Sequence, residues 1–495
     1  MPGNEFFGQS GHELLRQRLQ QTQEFDAFIM NRSFSQSLEQ NQSMDVRAKK
    51  EREAIERIKE KINRRFGERI LTDAKKDEFK QEMSDTINEL ITEEFGMDVS
   101  YEWRRNLIKK IMDDILGFGP IQDLLEDPEI TEIMVTRWNQ IYVERNGRLV
   151  LVPEHTFDSE EHLKNVIEKI VQPIGRRIND SEPLVDGRLP DGSRVNATIP
   201  PISPDGATLT IRKFSKKKLT GEDYLKFGSL DERMLKFLEL AVQGRCNIIV
   251  SGGTGSGKTT LLNMLSNFIP EWEAIVTIED SCELQLNQRN VRRLEARPPS
   301  PEGTGEVSIR ALVRNALRMR PDRIVVGEVR DGCVVDLFRA MSSGHDGSLT
   351  TIHANNPRDL IDATLPILFG MSDMKFDEMA QKLQICASVD LIVQIQRLRD
   401  GSRKITNITH VVGLGREAAT RLKIKNIEPD KIYLQDIFKF KQTGIVGGKV
   451  VGKYVATGYA PKEIIDKLES MGIDVPMEIF KADTETENDK QKMVG

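Results

Sequence analysis

The stretch that most constrains this chain is Gly252-Gly253-Thr254-Gly255-Ser256-Gly257-Lys258-Thr259, a complete Gly-x4-Gly-Lys-[Ser/Thr] phosphate loop. The apolar run Asn247-Ile248-Ile249-Val250 precedes it. Thr260-Leu261-Leu262-Asn263-Met264-Leu265 follows with helical character. A buried strand, a glycine-rich turn and a helix start, in that order, are the context that gives the pattern meaning. Glycines let the backbone curl so that successive N–H groups point at phosphate oxygens, and the helix dipole adds positive potential. Gly253, Thr254, Gly255, Ser256, Gly257, Lys258, Thr259 and Thr260 are therefore the candidate nucleotide-binding set. Lys258 would reach the β- and γ-phosphates, and the Thr259 hydroxyl would hold Mg²⁺.

Around this loop the pattern alternates between helix and buried strand. From about Leu219 the expected strands are Asn247–Ser251, Ala274–Ile278, Arg323–Val326, Ser348–Ile352 and Leu391–Gln394. Helices between most of them indicate a doubly wound α/β sheet. At 495 residues the chain has room for two or three domains with real cores. A net charge of −6 argues against nonspecific nucleic-acid binding and leaves only a local basic patch for such a task. Cys246, Cys282, Cys333 and Cys386 are widely spaced, and read as reduced, mostly core thiols of a cytosolic protein. No apolar run approaches the roughly 18–20 residues that cross a bilayer, and the start has no signal-peptide character. Any membrane link is expected to pass through a partner.

Upstream the chain divides by composition. Residues 1–45 are rich in Gln, Asn and Ser and read as a disordered or weakly helical tail. Residues 46–116 carry three apolar stripes: Ile55, Ile58 and Ile62; then Phe79, Met83, Ile87, Leu90 and Ile91; then Trp103, Leu107, Ile108, Ile111 and Ile115. These predict a three-helix bundle. Asp73 or Asp77 would cap the second helix, Gly96 would stop it, and Ser100 would cap the third. The outer charges suit either solubility or an electrostatic contact. Gly117-Phe118-Gly119-Pro120 opens an α+β domain over 117–215. It should hold strands at Ile133–Thr136, Ile141–Glu144 and Leu149–Val152, a turn at Asn146-Gly147, a helix through Leu163–Val171, and strands near Ser193–Ile199 and Ala207–Ile211. Lys216-Lys217-Lys218 reads as a linker. Residues 216–482 form the nucleotide domain and 483–495 a polar tail.

Three further stretches stand where phosphoryl chemistry needs them. Ile275–Ile278 ends in Glu279-Asp280, and Arg323–Val326 runs through Gly327 to Glu328. A carboxylate at the C-terminal edge of a parallel strand faces the ligand crevice, where it can hold Mg²⁺ or orient the attacking water. Glu279 and Glu328 are both candidates for each task, and spacing does not choose between them. Thr351-Ile352-His353 places a histidine at a strand end, where it can donate to a γ-phosphate oxygen; His345 reads as structural. Arginines supply transition-state charge, often from a neighbouring subunit. The candidates are Arg188, Arg194 and Arg212 outside the nucleotide domain and Arg292, Arg293, Arg318 and Arg320 inside it.

Together these four motifs resemble the type II/type IV secretion ATPase superfamily, as its Walker A, Asp box, Walker B and His box. Asp186–Arg194 followed by Asn196-Ala197-Thr198-Ile199-Pro200-Pro201 is most similar to the CpaF branch, the motors of Tad-type pili. The resemblance implies a RecA-like nucleotide domain behind a PAS-like α+β domain. It also implies ATP/ADP and Mg²⁺ as cofactors, and a homohexamer in the cytoplasm docked on an inner-membrane platform protein. Each ATP would lie between a nucleotide domain and an N-terminal domain. The four-cysteine zinc module of type II secretion assembly ATPases is missing, which counts against a pseudopilus motor. A type IV secretion traffic ATPase shares all four boxes and stays open as the alternative. A guanine-reading Asn/Thr-Lys-x-Asp and an ABC signature are both lacking. Intact Lys258, Thr259, Glu279, Glu328 and His353 argue against a scaffold that never turns over.

Overall fold

The computed structural model describes residues 50–73, 76–145, 147–214, 218–299 and 303–483. Both expected tails lie outside these residues, except Asp483. So do Asn146 of the expected turn and residues 216 and 217 of the expected linker. Asp483 is tied down: it accepts from Arg233 Nη1 (3.0 Å) and from the Ala456 N–H (3.1 Å). The chain divides into two contact units, residues 1–189 with 194–213, and residues 190–193 with 214–495.

The first unit begins with helices that carry the apolar stripes. Helical residues 50–66 and the helices Asp77–Phe95 and Tyr101–Leu116 share one core of Ile58, Ile62, Met83, Ile87, Ile91 and Ile111. Ser100 accepts the Trp103 N–H (3.2 Å), and Gly96 stops its helix at φ 78°. The aspartate cap is not found. Lys76 occupies the cap position without a side-chain bond, because a short extra helix, Arg69–Asp73, holds Asp73 back to pair with Lys76 (2.6 Å). Asp77 instead sits in the first turn, where a negative charge favours the helix dipole.

Six antiparallel strands follow: β1 (Ile130–Arg137), β2 (Gln140–Arg145), β3 (Arg148–Leu151), β4 (Leu184–Arg188), β5 (Arg194–Thr198) and β6 (Thr208–Arg212), in the order β3-β2-β1-β6-β5-β4. The helix Glu160–Val171, capped by Ser159, lays Leu163, Val166, Ile167 and Ile170 on one face of this sheet. β4 lies where the sequence reading placed no strand. Its Asp-Gly is poor strand material, and only pairing with β5 extends it.

The second unit contains a nine-stranded sheet: β7 (Ile248–Ser251), β8 (Ile275–Glu279), β9 (Val291–Glu295), β10 (Arg323–Val329), β11 (Leu349–Ile352), β12 (Leu391–Arg397), β13 (Arg403–Leu414), β14 (Ile432–Val446) and β15 (Lys449–Ala456). The order is β15-β14-β13-β12-β7-β11-β10-β8-β9. All five expected strands are present and mutually parallel along β12-β7-β11-β10-β8. β7 alternates between two cores, Ile248 and Val250 on one face and Ile249 on the other. Helices Glu232–Gln243 and Lys258–Ser266 cover the first face; Ile309–Ala316 and Cys333–Ser342 cover the second. The sheet is mixed rather than wholly parallel. β13, β14 and β15 add an antiparallel wing, and β9 a polar parallel edge. Their residues alternate with polar or exposed ones, so they lack the continuous apolar run that marks a central parallel strand. All four cysteines are free, two buried and two half-buried. Among the described residues no helix is long and apolar enough to cross a membrane.

Candidate phosphate-binding site

Every residue of β7 is buried, so the chain leaves the sheet only at Ser251, and the loop turns directly into the helix Lys258–Ser266. A Cβ on Gly252 would stand 2.3 Å from the Ile395 carbonyl oxygen, so only glycine fits there. Gly257 adopts φ 94° at the helix start, a left-handed conformation that favours glycine. Side chains of the loop bond its own backbone. The Ser256 hydroxyl and Lys258 Nζ both donate to Gly253 O, at 2.8 and 3.1 Å. Lys258 Nζ also lies 3.4 Å from His353 Nδ1, which joins the end of β11 to the loop.

The two acidic segments end on neighbouring strands, β8 and β10. Glu279, only 2% exposed, accepts the N–H groups of Glu283 (2.8 Å) and Leu284 (2.9 Å) on Oε2; its Oε1 is buried without a hydrogen-bond partner. Burial pushes its pKa up to about 7, against the pull of those two hydrogen bonds and of Arg293. Glu328 is more open and accepts from Arg330 Nε (2.9 Å), and Arg330 Nη1 stands 3.4 Å from Asp280. Arg330 thus bridges the two acidic segments, a role the sequence reading did not assign. A Cβ on Gly327 would stand 3.0 Å from Glu279 Cγ, and Thr351 Oγ1 donates to Gly327 O (2.7 Å), so β8, β10 and β11 are closely locked here.

Hard divalent cations take oxygen ligands. The unpartnered buried oxygen of Glu279 and the Thr259 hydroxyl on the first helical turn are donors of the kind such an ion takes, and Glu328 lies on β10 beside the strand that carries Glu279. His345 lies at the other edge of the sheet, before β11 begins, and its carbonyl accepts from Ser348 Oγ (2.8 Å). Arg292 and Arg318 serve carbonyls of Met319 and Arg314. In the first unit, register makes Arg188 the neighbour of Arg194, and Arg194 that of Arg212. The three expected arginines therefore stand side by side across β4, β5 and β6.

The Glu279 shift has a measurable consequence. Without nucleotide or metal, the folded chain keeps this carboxyl protonated up to about pH 7, whereas the unfolded one releases its proton near 4.5. The associated stability is complete below about pH 4.5 and is lost as pH rises through about 7, a difference on the order of 3 kcal/mol. Urea melts in EDTA at about pH 5 and about pH 8 should differ by less in Glu279→Gln than in the wild type. An unchanged difference would show that Glu279 does not titrate there.

A family described as "Type II/IV secretion system protein" matches residues 114–426, more than half of the chain. An uncharacterized protein of Methanocaldococcus jannaschii is 41% identical over 280 residues, 54% of this chain but only 38% of that protein. The conjugal transfer protein TrbB of Rhizobium radiobacter is 32% identical over 314 residues, covering 62% of this chain and 91% of TrbB. The type IV secretion system protein VirB11 of Bartonella quintana is 31% identical over 330 residues, 58% of this chain and 90% of VirB11. With the phosphate loop, two acidic strand ends and His353 at one edge of its sheet, this chain belongs to the type II/IV secretion system protein family.

Proposed function

We propose that this chain is a Mg²⁺-dependent ATP hydrolase that works as the motor of a membrane-bound secretion or pilus machine. One observation carries the reading: Lys258 Nζ, His353 and the acids Glu279 and Glu328 all lie at the C-terminal edge of four adjacent parallel strands. In this reading Gly253–Thr260 cradle the phosphates and Lys258 neutralises the β- and γ-oxygens. Thr259 and one or both acids hold Mg²⁺, which supplies charge neutralisation at the phosphates when bound. Glu328 orients the attacking water, Glu279 standing in reserve, and His353 bonds a γ-oxygen.

The division into tail (1–45), three-helix bundle (46–116), PAS-like α+β domain (117–215), RecA-like domain (216–482) and tail (483–495) belongs to the same proposal. So does a cytoplasmic homohexamer on an inner-membrane platform protein, with Arg188, Arg194 and Arg212 completing the site. Asp186–Arg194 and Asn196–Pro201 favour a Tad-type pilus as the machine. The likeness to VirB11 and TrbB favours a type IV secretion traffic ATPase as the second reading. Prepilin and platform genes beside this one would decide for the pilus.

The direct test is phosphate release with Mg-ATP. Lys258→Ala should abolish turnover, because the β- and γ-phosphates lose their only charged ligand from the loop. A variant that hydrolyses at the wild-type rate would defeat the assignment of this loop as the catalytic one.

A further inference from the structure

The second unit places two arginines against the outside of the phosphate loop, from a part of the chain about 140 residues away. Arg397 ends β12 and Arg403 opens β13, and the two are direct cross-strand partners. Arg403 Nε donates to Gly255 O (3.2 Å). Its Cδ lies 3.2 Å from where a Cβ of Gly257 would stand, and Arg397 Nη1 lies 3.6 Å from the equivalent point on Gly255. β12 also presses on the loop through the Ile395 carbonyl, over Gly252. Like charges directly opposite each other destabilise an antiparallel pair.

The turn that carries these arginines is itself held. Leu398 N–H donates to Ser402 O (2.7 Å) and Gly401 N–H to Leu398 O (2.9 Å). Asp400 Oδ1 accepts from the Ser402 N–H (3.0 Å) and hydroxyl (2.6 Å). Asp400 Oδ2 accepts the N–H of Val450 on β15 (2.8 Å). Bonds therefore run from β15 through Asp400 and Ser402 to Arg403, and from Arg403 to the loop.

We propose that the β12–β13 turn is a brace for the phosphate loop, with Arg403 as the positioning residue and Asp400 as its anchor on β15. A loop that points N–H groups inward must turn carbonyls outward, and each needs a donor. Ser256 and Lys258 serve Gly253; Arg403 serves Gly255. By fixing that carbonyl, Arg403 holds the cradle in its anion-receiving shape, and both guanidinium groups add positive potential from behind. Neither arginine is among the groups assigned to the chemical step, so the brace acts on binding. The inference rests on the reading of this loop as an ATP site.

The experiment uses the full chain, with ATP affinity read from a fluorescent ATP analogue and turnover from phosphate release. Arg403→Met keeps the packing over Gly257 and removes the donor. It should raise Kd and KM about ten-fold or more, as loss of one charge-assisted hydrogen bond implies, with a much smaller change in kcat. Asp400→Ala, whose bonds run to Ser402 and Val450 rather than to the loop, should shift KM in the same direction. The double variant should be no worse than Arg403→Met alone, because the two residues act in series. Arg403→Lys, which keeps the charge but not the Nε donor, should fall between wild type and Arg403→Met, and serves if the Met variant does not fold. A wild-type KM in Arg403→Met, or effects of the two single variants that simply add, would overturn the brace while leaving the ATP site intact. A wild-type chain that fails to bind the analogue would overturn both.

Discussion

Glu328→Gln should leave ATP bound and lower turnover by about 10²–10⁴-fold, the contribution of a positioned acid–base group. The substitution keeps the shape of the side chain at the end of β10 and removes only its ability to take a proton from water. Glu328 is the more accessible of the two acids, with its side chain 24% exposed and held by Arg330, whereas Glu279 is sealed under the β8 loop with one oxygen occupied by two backbone N–H groups. On the proposed reading, that geometry favours Glu328 for orienting the water and Glu279 for holding the metal. Binding of the fluorescent ATP analogue and phosphate release, measured on the same preparation, separate the two. Wild-type turnover in Glu328→Gln would transfer the role to Glu279, whose pKa near 7 also suits a base.

Removing residues 1–215 should produce a chain that still binds nucleotide but hydrolyses it about 10³–10⁵-fold more slowly, the worth of an arginine finger in phosphoryl transfer. The motive is the row Arg188–Arg194–Arg212 across three strands. Register continues that row to Glu132 on β1, which stands opposite Arg212. Burial and the nearby Glu144 raise the pKa of Glu132, while Arg212 opposes that rise. Arg194→Ala in the full chain is the finer instrument, since it removes one guanidinium from the middle of the row and keeps the domain. Near-normal hydrolysis by the truncated chain would end the idea that this domain completes the site.

How much of this was legible in the sequence follows the range of the interactions involved. The phosphate loop could be read outright because its geometry is local: the glycines, Ser256, Lys258 and Thr259 act within eight consecutive residues. The strand ends carrying Glu279, Glu328 and His353 were legible for a related reason, since an apolar run that stops at a polar residue marks its own edge. Ser100 and Gly96 announced their caps because a cap bonds a backbone group only a few residues away. Asp73 did not, because a short helix and Lys76 competed for it. Long-range pairing set the rest. Arg188, Arg194 and Arg212 become neighbours only through strand register, which no single segment encodes. The β13–β15 wing needed β12 as a template before its polar, alternating residues could read as strands. Arg403 reaches Gly255 across 148 positions, a contact paid for by the folding of the whole second unit, so its place beside the loop could be seen only in three dimensions.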